Sequence, residues 1–559
     1  MPEDAVKVIF ADGREHEVTR GITVLDAARL SGHFTPYHLM GALVNNELKS
    51  LSEPLLEDSR VELLDGRLEE GRKIYRRSLS LVMIRAFREL FPDGKVVIRH
   101  SLSGGYFCKP SIDRPFTPKD LKALKARMDE IIARDEPFKP HVFTREEAVK
   151  FFGSDGQDDK ARLFPYMGDP SIEVHSCGEI RACIFGKMVQ STGYLKVYDL
   201  LYYPPGFILR FPRSNNPLQL SPYTEQKKLF RVYYEYKQWV NLLGVGDVPA
   251  LNTVIESGEI NDLIRVAEAL HEKKIAAIAD IIAKNKEQLR VVLIAGPSAS
   301  GKTTFAQRLA VQLRVNGIKP VGISVDDYFL DREKTPRDEK GDYNFEILEA
   351  LDLELFNNHL TTLLMGGEVE IPHFDFTVGA RMKSGRKLRI KPDQPLVIEG
   401  IHCLNDRLTE SIARENKFKI YVSALTQLNL DDHNRINTTD TRILRRIVRD
   451  KQFRGRDALG TLKRWDSVRM GERDHIFPFQ EEADIMFNSS LVYEFSVLKT
   501  FVEEPLKAIG RTEPEYSEAQ RLLSILQFFL KVGTDEIPPN SIMREFIGAT
   551  YFISADVPH

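Results

Sequence analysis

Short apolar runs and amphipathic stretches alternate in the second half of the chain. Beyond residue 290, the runs VVLIA, VGISV, LVIEG, FKIYV and ADIMF have the length of strands, and helix-like stretches separate them. Continuous apolar runs between helices are typical of strands that are buried on both faces. This pattern predicts an α/β fold with a parallel sheet flanked by helices.

The first half shows shorter, mixed signals. VKVIF alternates apolar and polar positions, ALVNN and RVELLDG are strand-like, and VLDAARLSG is helix-like. From Arg72 apolar residues recur at helical spacing until Pro92, and PKDLKALKARMDEIIARD and REEAVKFFG predict two more helices. RACIFGKMV and YLKVYDLLYY are strand-like. These patterns predict small α+β units.

Proline-rich residues 205–222 mark an edge between units, and mainly helical sequence follows them. We therefore expect five segments: residues 1–67, residues 68–222, a helical connector at 223–287, the α/β unit at 288–500 and a helical extension at 501–559. The leucines and aromatic residues of the extension are expected to pack against the α/β unit.

Composition narrows the class of protein. The 559 residues include 78 Lys and Arg against 81 Asp and Glu, so a net charge of −3 gives no global attraction to nucleic acid or membrane. The 4 cysteines form no CxxC pair, which suits a reducing compartment. Neither a basic, apolar leader nor an apolar run of membrane-spanning length is seen. We expect a soluble cytoplasmic protein, with its oligomeric state open.

A phosphate-binding motif follows the run VVLIA. GPSASGKT fits G-x4-G-K-[ST] between a predicted strand and a predicted helix. In such a loop backbone N–H groups cradle phosphates, Lys302 neutralises charge and the Thr303 hydroxyl binds Mg²⁺. The predicted ATP-binding residues of this loop are Gly296, Ser298, Ala299, Ser300, Gly301, Lys302, Thr303 and Thr304.

Acidic residues follow two other predicted strands. Asp326 and Asp327 directly follow VGISV, and Glu399 lies near the end of LVIEG, at the edge where α/β sheets place ligands. A carboxylate there accepts a proton from an attacking hydroxyl or holds Mg²⁺. The alternative for Asp326 is a helix cap or turn.

Arginines are concentrated in RILRRIVRDKQFRGR. Arg442, Arg446 and Arg449 fall on one helical face, and Arg454 and Arg456 follow. Guanidinium groups match triphosphate oxygens, so this stretch is predicted to form a lid whose Arg449 acts in catalysis. The alternatives are a solvated basic face or a patch that contacts RNA.

The ordered motifs GPSASGKTT, DDYF, IPHFDF, VIEGIH, RRIVRDKQFRGRD and EEADIMF resemble those of the uridine kinase family. The resemblance implies Mg²⁺-dependent transfer of the ATP γ-phosphoryl group to the 5′-hydroxyl of uridine or cytidine. Asp326 then matches the catalytic base, which also neighbours the metal, and Glu399 matches the acidic group beside Mg²⁺. Arg446, Arg449, Arg454 and Arg456 match the lid.

The segment that reads the acceptor departs from the family. Gly379 stands where a base-reading histidine is expected, Phe374 replaces a tyrosine and Arg464 replaces a lid glutamine. Loss of a hydrogen-bonding partner changes discrimination by several orders of magnitude. We expect a nucleoside acceptor, with a sugar or a pantothenate-like alcohol as the alternative.

The first half resembles threonyl-tRNA synthetases. DGREHEVTRGITVLDAARL is similar to a ubiquitin-like TGS domain, and LFPDGKVVIRHSLSGGYFCK and IEVHSCGEI are similar to the editing domain. Arg77 and Leu81 fill the HxxxH positions, and leucine has no lone pair for a metal or for catalysis. We expect that editing is lost, and that His175 and Cys177 are either a remnant pair or, as we favour, surface or core residues.

Two other classes of function remain. A translation-linked regulator would bind RNA through the first half and use the phosphate loop as a nucleotide sensor. A GTPase is disfavoured because no N-K-x-D motif follows the loop.

Overall fold

The N-terminal unit is a five-stranded sheet with one helix. The computed structural model describes residues 5–33, 38–212, 216–337, 341, 343–375, 378–426 and 428–552. The unit contains β1 (Ala5–Phe10), β2 (Glu15–Thr19), α1 (Val24–Leu30), β3 (Leu39–Val44), β4 (Glu47–Lys49) and β5 (Ser59–Asp65), in the order β2-β1-β5-β3-β4. Buried Val8, Ala28 and Ala42 pack between helix and sheet.

A long helix and two antiparallel sheets follow. The elements are α2 (Glu69–Leu90), β6 (Lys95–Leu102), β7 (Gly105–Ser111), α3 (Pro118–Ala133), β8 (Phe138–Thr144), α4 (Arg145–Ser154), α5 (Asp158–Leu163), β9 (Ser171–Cys177), β10 (Ile180–Ala182), β11 (Asp199–Tyr203) and β12 (Gly206–Arg210). One sheet has the order β10-β9-β8 and the other β11-β12-β7-β6.

The strand predicted for residues 181–189 is wrong beyond Ala182, and the one predicted from Tyr194 begins only at Asp199. The Phe185 amide donates to the Asn434 side chain, and the Val189 amide donates to Ser78 Oγ. Side chains from distant segments thus satisfy backbone groups that a strand would pair within a sheet.

Three helices connect this region to the second half: α6 (Lys227–Leu243), α7 (Val248–Glu256) and α8 (Ile260–Lys284). Gly244 at the end of α6 has a left-handed backbone with φ +68°, which ends the helix as glycine commonly does. The stretch predicted as a connector at 223–287 therefore consists mainly of helices.

The second half is a parallel sheet with helices on both faces. Its elements are β13 (Val291–Ala295), α9 (Lys302–Val315), β14 (Val321–Ser324), α10 (Leu353–Leu364), β15 (Glu368–Asp375), β16 (Ala380–Arg389), β17 (Leu396–Glu399), β18 (Lys417–Ser423), α11 (Thr438–Phe453), α12 (Ala458–His475), β19 (Ile485–Asn488), α13 (Glu494–Lys507), α14 (Tyr516–Leu526) and α15 (Arg544–Ile547). The strand order β14-β17-β13-β18-β19, with every pair parallel, confirms the predicted fold class.

One element of this half was not predicted. β15 and β16 form an antiparallel hairpin that is separate from the parallel sheet. Strand β16 is largely exposed and rich in Lys and Arg. It therefore has no apolar run from which a strand could be predicted. The hairpin sequence includes residues 376 and 377, which lie outside the described residues.

A buried polar joint connects the two halves. Lys160 in α5 is fully buried, and its Nζ lies 3.2 Å from Asp431 Oδ1 and 3.0 Å from His433 Nδ1. The Ile98 amide donates to the Asp432 carbonyl at 2.8 Å, and Asn434 Nδ2 donates to the Cys183 carbonyl at 2.8 Å. The loop that leads into α11 is therefore fixed by the first half of the chain.

Apolar packing is also shared between the halves. One core cluster contains Phe164 from the first half, Leu263 from the connector, Leu444 from α11 and Phe528 beyond α14. The C-terminal extension thus packs on both halves rather than on the α/β unit alone. No described helix is both long and apolar enough to cross a bilayer.

Candidate active site

The phosphate-binding motif forms a tight loop between β13 and α9. A Cβ on Gly296 would lie 2.0 Å from the Val422 carbonyl oxygen, so only glycine fits beside β18. Ala299 and Gly301 have φ +58° and +87°, which turns the chain into the first turn of α9 at Lys302. Curled backbone amides at a helix N-terminus are the arrangement that binds phosphate.

Two of the predicted acidic residues meet beside this loop. β14 and β17 are neighbours, with Ser324 opposite Glu399, and Ser324 Oγ donates to Glu399 Oε1 at 3.1 Å. Burial, and then the negative charge of Asp326, raises the pKa of Glu399 to about 7, while Lys302 opposes the rise. Asp326, Glu399 and Lys302 are therefore close enough to act on one ligand.

The available ligands fit Mg²⁺. Thr303 is exposed at the start of α9, and the carboxylates of Asp326 and Glu399 supply further oxygens. Among the described residues no group of three or more His, Cys, Asp or Glu side chains forms a complete metal cage. Mg²⁺ is commonly held by one or two carboxylates together with water and substrate phosphates, so this sparse set is adequate.

The structure adds Glu346 to the site. Its Oε2 is buried without a hydrogen-bond partner among the described residues. Burial, and then the charge of Glu472, raises its pKa to about 7, and Arg446, Lys302 and Asp326 also act on it. The sequence signal is weak, because Glu346 follows the aromatic residues Tyr343 and Phe345 in a loop without periodicity.

Glu346→Gln is expected to change how stability depends on pH. Because the folded-state pKa of Glu346 lies above its unfolded value, the wild type loses stability as pH rises from about 4.5 to about 7. The glutamine variant lacks that loss, so at pH 8 its free energy of unfolding should exceed that of the wild type by about 3 kcal/mol, with little difference at pH 4.5.

Urea unfolding of both proteins at the two pH values measures this effect. Glu349→Gln is the matched control, because Glu349 is exposed, and a hydrogen bond from its own backbone together with Arg407 holds the pKa of Glu349 below its usual value. That control should show no gain at pH 8. Equal pH dependence in the wild type and Glu346→Gln would contradict the assignment of Glu346 to the site.

The arginine helix α11 lies directly against the phosphate loop. Arg446 Nη1 donates to Ser298 Oγ at 2.8 Å. The buried carboxylate of Asp450 is surrounded by guanidinium groups at 3.4 to 3.7 Å, from Arg446, Arg449, Arg454 and Arg456. Burial, and then Arg454, lowers the pKa of Arg449 to about 10. One carboxylate facing several cations leaves positive charge for phosphate.

Arg442 differs from the prediction that it shares the phosphate-facing side of this helix. It is buried in a bidentate ion pair with Glu472 and donates to the Ser298 carbonyl at 3.2 Å. Glu472 accepts a hydrogen bond from the Ser298 amide at 2.9 Å. Both side chains thus hold the phosphate loop in shape. The sequence showed a helical face but not this distant partner.

The positions that depart from the uridine kinase pattern lie around the hairpin and α12. A Cβ on Gly379, where φ is +74°, would lie 2.6 Å from the Arg332 guanidinium, and the Arg332 amide donates to the Gly379 carbonyl. Phe374 is buried, and Arg464 is exposed on α12. An arginine therefore takes the space beside Gly379.

The candidate residues of the first half do not form a metal or catalytic site. Leu81 is buried in α2, and Cys177 is buried in β9, where its Sγ lies 3.4 Å from Arg85 Nη1. Burial raises the pKa of Cys177 and lowers the pKa of His175 to about 4. Core positions in a strand account for both residues, which agrees with the interpretation favoured above.

Comparison with known proteins separates the two halves. The model of the Phosphoribulokinase / Uridine kinase family matches residues 291–494. The chain is 30% identical over 197 residues to Threonine--tRNA ligase of Pelobacter propionicus and 33% identical over 197 residues to that of Desulforamulus reducens, in each case covering 35% of this chain. The chain spans 31% of the length of these relatives.

The solved structures that match this chain have low overall similarity to it. "Structure of a Possible Uridine Kinase from Bacillus stearothermophilus" has a TM-score of 0.25 and 21% identity, over 38% of this chain and 97% of that one. D-glycerate 3-kinase from Cryptococcus neoformans has a TM-score of 0.22 and 14% identity, over 47% and 89%. The chain thus joins an N-terminal region similar to threonine–tRNA ligases to a C-terminal segment that matches the Phosphoribulokinase / Uridine kinase family.

Proposed function

We propose that the protein is an ATP- and Mg²⁺-dependent kinase that transfers the γ-phosphoryl group to a hydroxyl of a small molecule. The observation that carries this proposal is the contact between Arg446 and Ser298, because it puts the arginine helix on the phosphate loop. The proposal is also supported by the charges of Asp326 and Lys302, which both act on the buried carboxylate of Glu399. Cations for phosphate and carboxylates for metal and proton transfer are the groups that such a reaction needs.

Each side chain has a distinct task in this proposal. Asp326 accepts the proton of the acceptor hydroxyl, and Lys302 and Arg449 balance the charge of the transferred group. Thr303, Glu399 and Asp326 would hold Mg²⁺, which would neutralise phosphate charge when bound. Arg454 and Arg456, at the end of α11, contribute further positive charge around Asp450.

We propose a nucleoside as the acceptor, recognised without the usual histidine. Glu346, with its unpartnered carboxyl oxygen, is suited to bind hydroxyl groups of a ribose. The Arg332 guanidinium lies beside Gly379, where a side chain at that position would begin. A sugar or a pantothenate-like alcohol would use the same carboxylates and is the alternative acceptor.

A panel of acceptors incubated with γ-labelled ATP tests the proposal. Nucleosides, pentose phosphates, polyols and pantothenate are each added with Mg²⁺, and label transfer is followed by chromatography. One nucleoside should be labelled, and EDTA should stop the transfer. If only a non-nucleoside alcohol were labelled, the proposed kinase activity would stand and the proposed nucleoside acceptor would be wrong.

If no alcohol in the panel were labelled, the proposal of kinase activity would be wrong. If the same protein bound RNA tightly, with an affinity that falls as salt increases, the translation-linked regulator would replace it. Nucleotide binding without turnover would then indicate that the phosphate loop serves as a nucleotide sensor.

A further inference from the structure

The C-terminal segment at residues 541–547 packs against the phosphate loop. The Ile542 side chain is fully buried against Gly301, where an added Cβ would lie 2.5 Å from Ile542 Cγ2. Phe546, also fully buried, lies beneath the Arg445 guanidinium at 5.1 Å from the ring centre. Ile542, which precedes α15, therefore packs on the loop itself, and Phe546, within α15, packs on Arg445 of α11.

Polar contacts fix the base of this segment. Arg544 Nη2 donates to the carbonyls of Thr534 at 2.8 Å and Ile537 at 2.7 Å. Ser541 Oγ donates to the buried carboxylate of Glu268 in α8. None of these hydrogen bonds involves Glu545 or a residue of the phosphate loop, so they do not have to break when the Glu545 side chain rotates.

One acidic side chain of the segment reaches the phosphate-binding amides. Glu545 Oε2 accepts a hydrogen bond from the Thr304 backbone N–H at 3.1 Å, in the first turn of α9. Glu545 is also close enough to Glu399 and Arg449 for its charge to act on both groups. A carboxylate thus lies among amides and cations that suit phosphate.

A bound polyphosphate and this carboxylate compete. Amides at the start of the helix after a G-x4-G-K-[ST] loop bind nucleotide phosphates, and Thr304 directly follows that motif. An N–H group donates one strong hydrogen bond, and two anions a few ångströms apart repel each other strongly in a partly buried site. Glu545 must therefore leave the amide before a phosphate oxygen takes its place.

We propose that Glu545 holds the place of a nucleotide phosphate on the loop, so that the C-terminal extension restrains nucleotide binding until this side chain is displaced. The inference rests on the proposed nucleotide site, but it concerns phosphate binding and needs no acceptor. Displacement requires rotation of one partly buried side chain, while Ile542 and Phe546 stay packed. The extension is in this way an autoinhibitory element.

Binding of inorganic tripolyphosphate and of Mg-ATP to the full chain tests the proposal by calorimetry. Glu545→Gln removes the charge and Glu545→Ala removes the group, so both variants should bind tripolyphosphate about tenfold or more tightly than the wild type. Glu536→Gln is the matched control, because Glu536 is an exposed acid of the same extension that pairs with Arg265. The control should bind as the wild type does.

Unfolding midpoints of the free proteins separate this effect from a loss of structure. Unchanged or weaker tripolyphosphate binding by folded Glu545→Gln and Glu545→Ala would overturn the inference and show that the carboxylate only caps α9. If both variants bound tripolyphosphate more tightly but the protein labelled no acceptor, the inference about Glu545 would be supported and the proposed kinase activity would be wrong. The two proposals therefore fail separately.

Discussion

Asp326→Asn is expected to reduce kcat by about 10²- to 10⁴-fold, the usual contribution of a general base, with a much smaller change in the KM for ATP. Asn keeps the size of the side chain but cannot accept the proton of the acceptor hydroxyl. Removing this negative charge should also lower the pKa of Glu399, since Asp326 is the second contribution, after burial, to the rise in that pKa.

The neighbouring residue provides the control for this experiment. Asp327 Oδ1 lies 3.3 Å from His373 Nδ1, so this carboxylate contacts the β15 strand of the hairpin. Asp327→Asn changes the same charge one residue away and should retain kcat within about tenfold. Steady-state kinetics with the labelled acceptor compares the two variants. Equal losses, or near-normal turnover by Asp326→Asn, would remove Asp326 from its role as base.

Glu472→Gln is expected to lower the free energy of unfolding by about 3–5 kcal/mol, the cost of leaving one member of a buried ion pair without its partner. Arg442 and Glu472 are 1% and 0% exposed, and both bind the backbone of Ser298. The phosphate loop should lose its fixed shape together with this pair, so nucleotide affinity should fall as well.

Asp474→Asn, two residues further along α12, is the matched control for this second experiment. Its partner is Arg473, and the two side chains are 48% and 55% exposed, so this ion pair contributes little. Denaturant unfolding of both variants should show a large loss for Glu472→Gln and a change within about 0.5 kcal/mol for Asp474→Asn. Similar values for the two would mean that the buried pair does not hold the loop.

The sequence was most informative where local patterns are strong. Strands β13, β14, β17, β18 and β19 fall on the predicted apolar runs. The central strands β13, β17 and β18 are almost entirely buried and need a continuous apolar stretch, whereas the edge strand β14 is buried only at Ile323. The residues that form the phosphate loop are contiguous in the sequence and fit one motif. Its expected position between strand and helix is therefore confirmed.

Features that depend on distant partners were not predictable in this way. Glu346 reaches the site from an irregular loop, Glu472 comes from another helix, and Glu545 comes from the extension. None of these acids has a local spacing that distinguishes it from a surface residue. The strand predicted at 181–189 ends early for the same reason, because the Phe185 amide donates to the side chain of the distant residue Asn434.

The polar joint around Lys160 has a consequence for how the protein can be studied in pieces. A fragment beginning at residue 223 would lose the ammonium that neutralises Asp431, and with it the backbone partners of Asp432 and Asn434. Such a fragment would expose the approach to α11 and a large part of the shared apolar core. Expression of the C-terminal half by itself should therefore give insoluble or inactive material, even though it contains every group proposed for phosphoryl transfer.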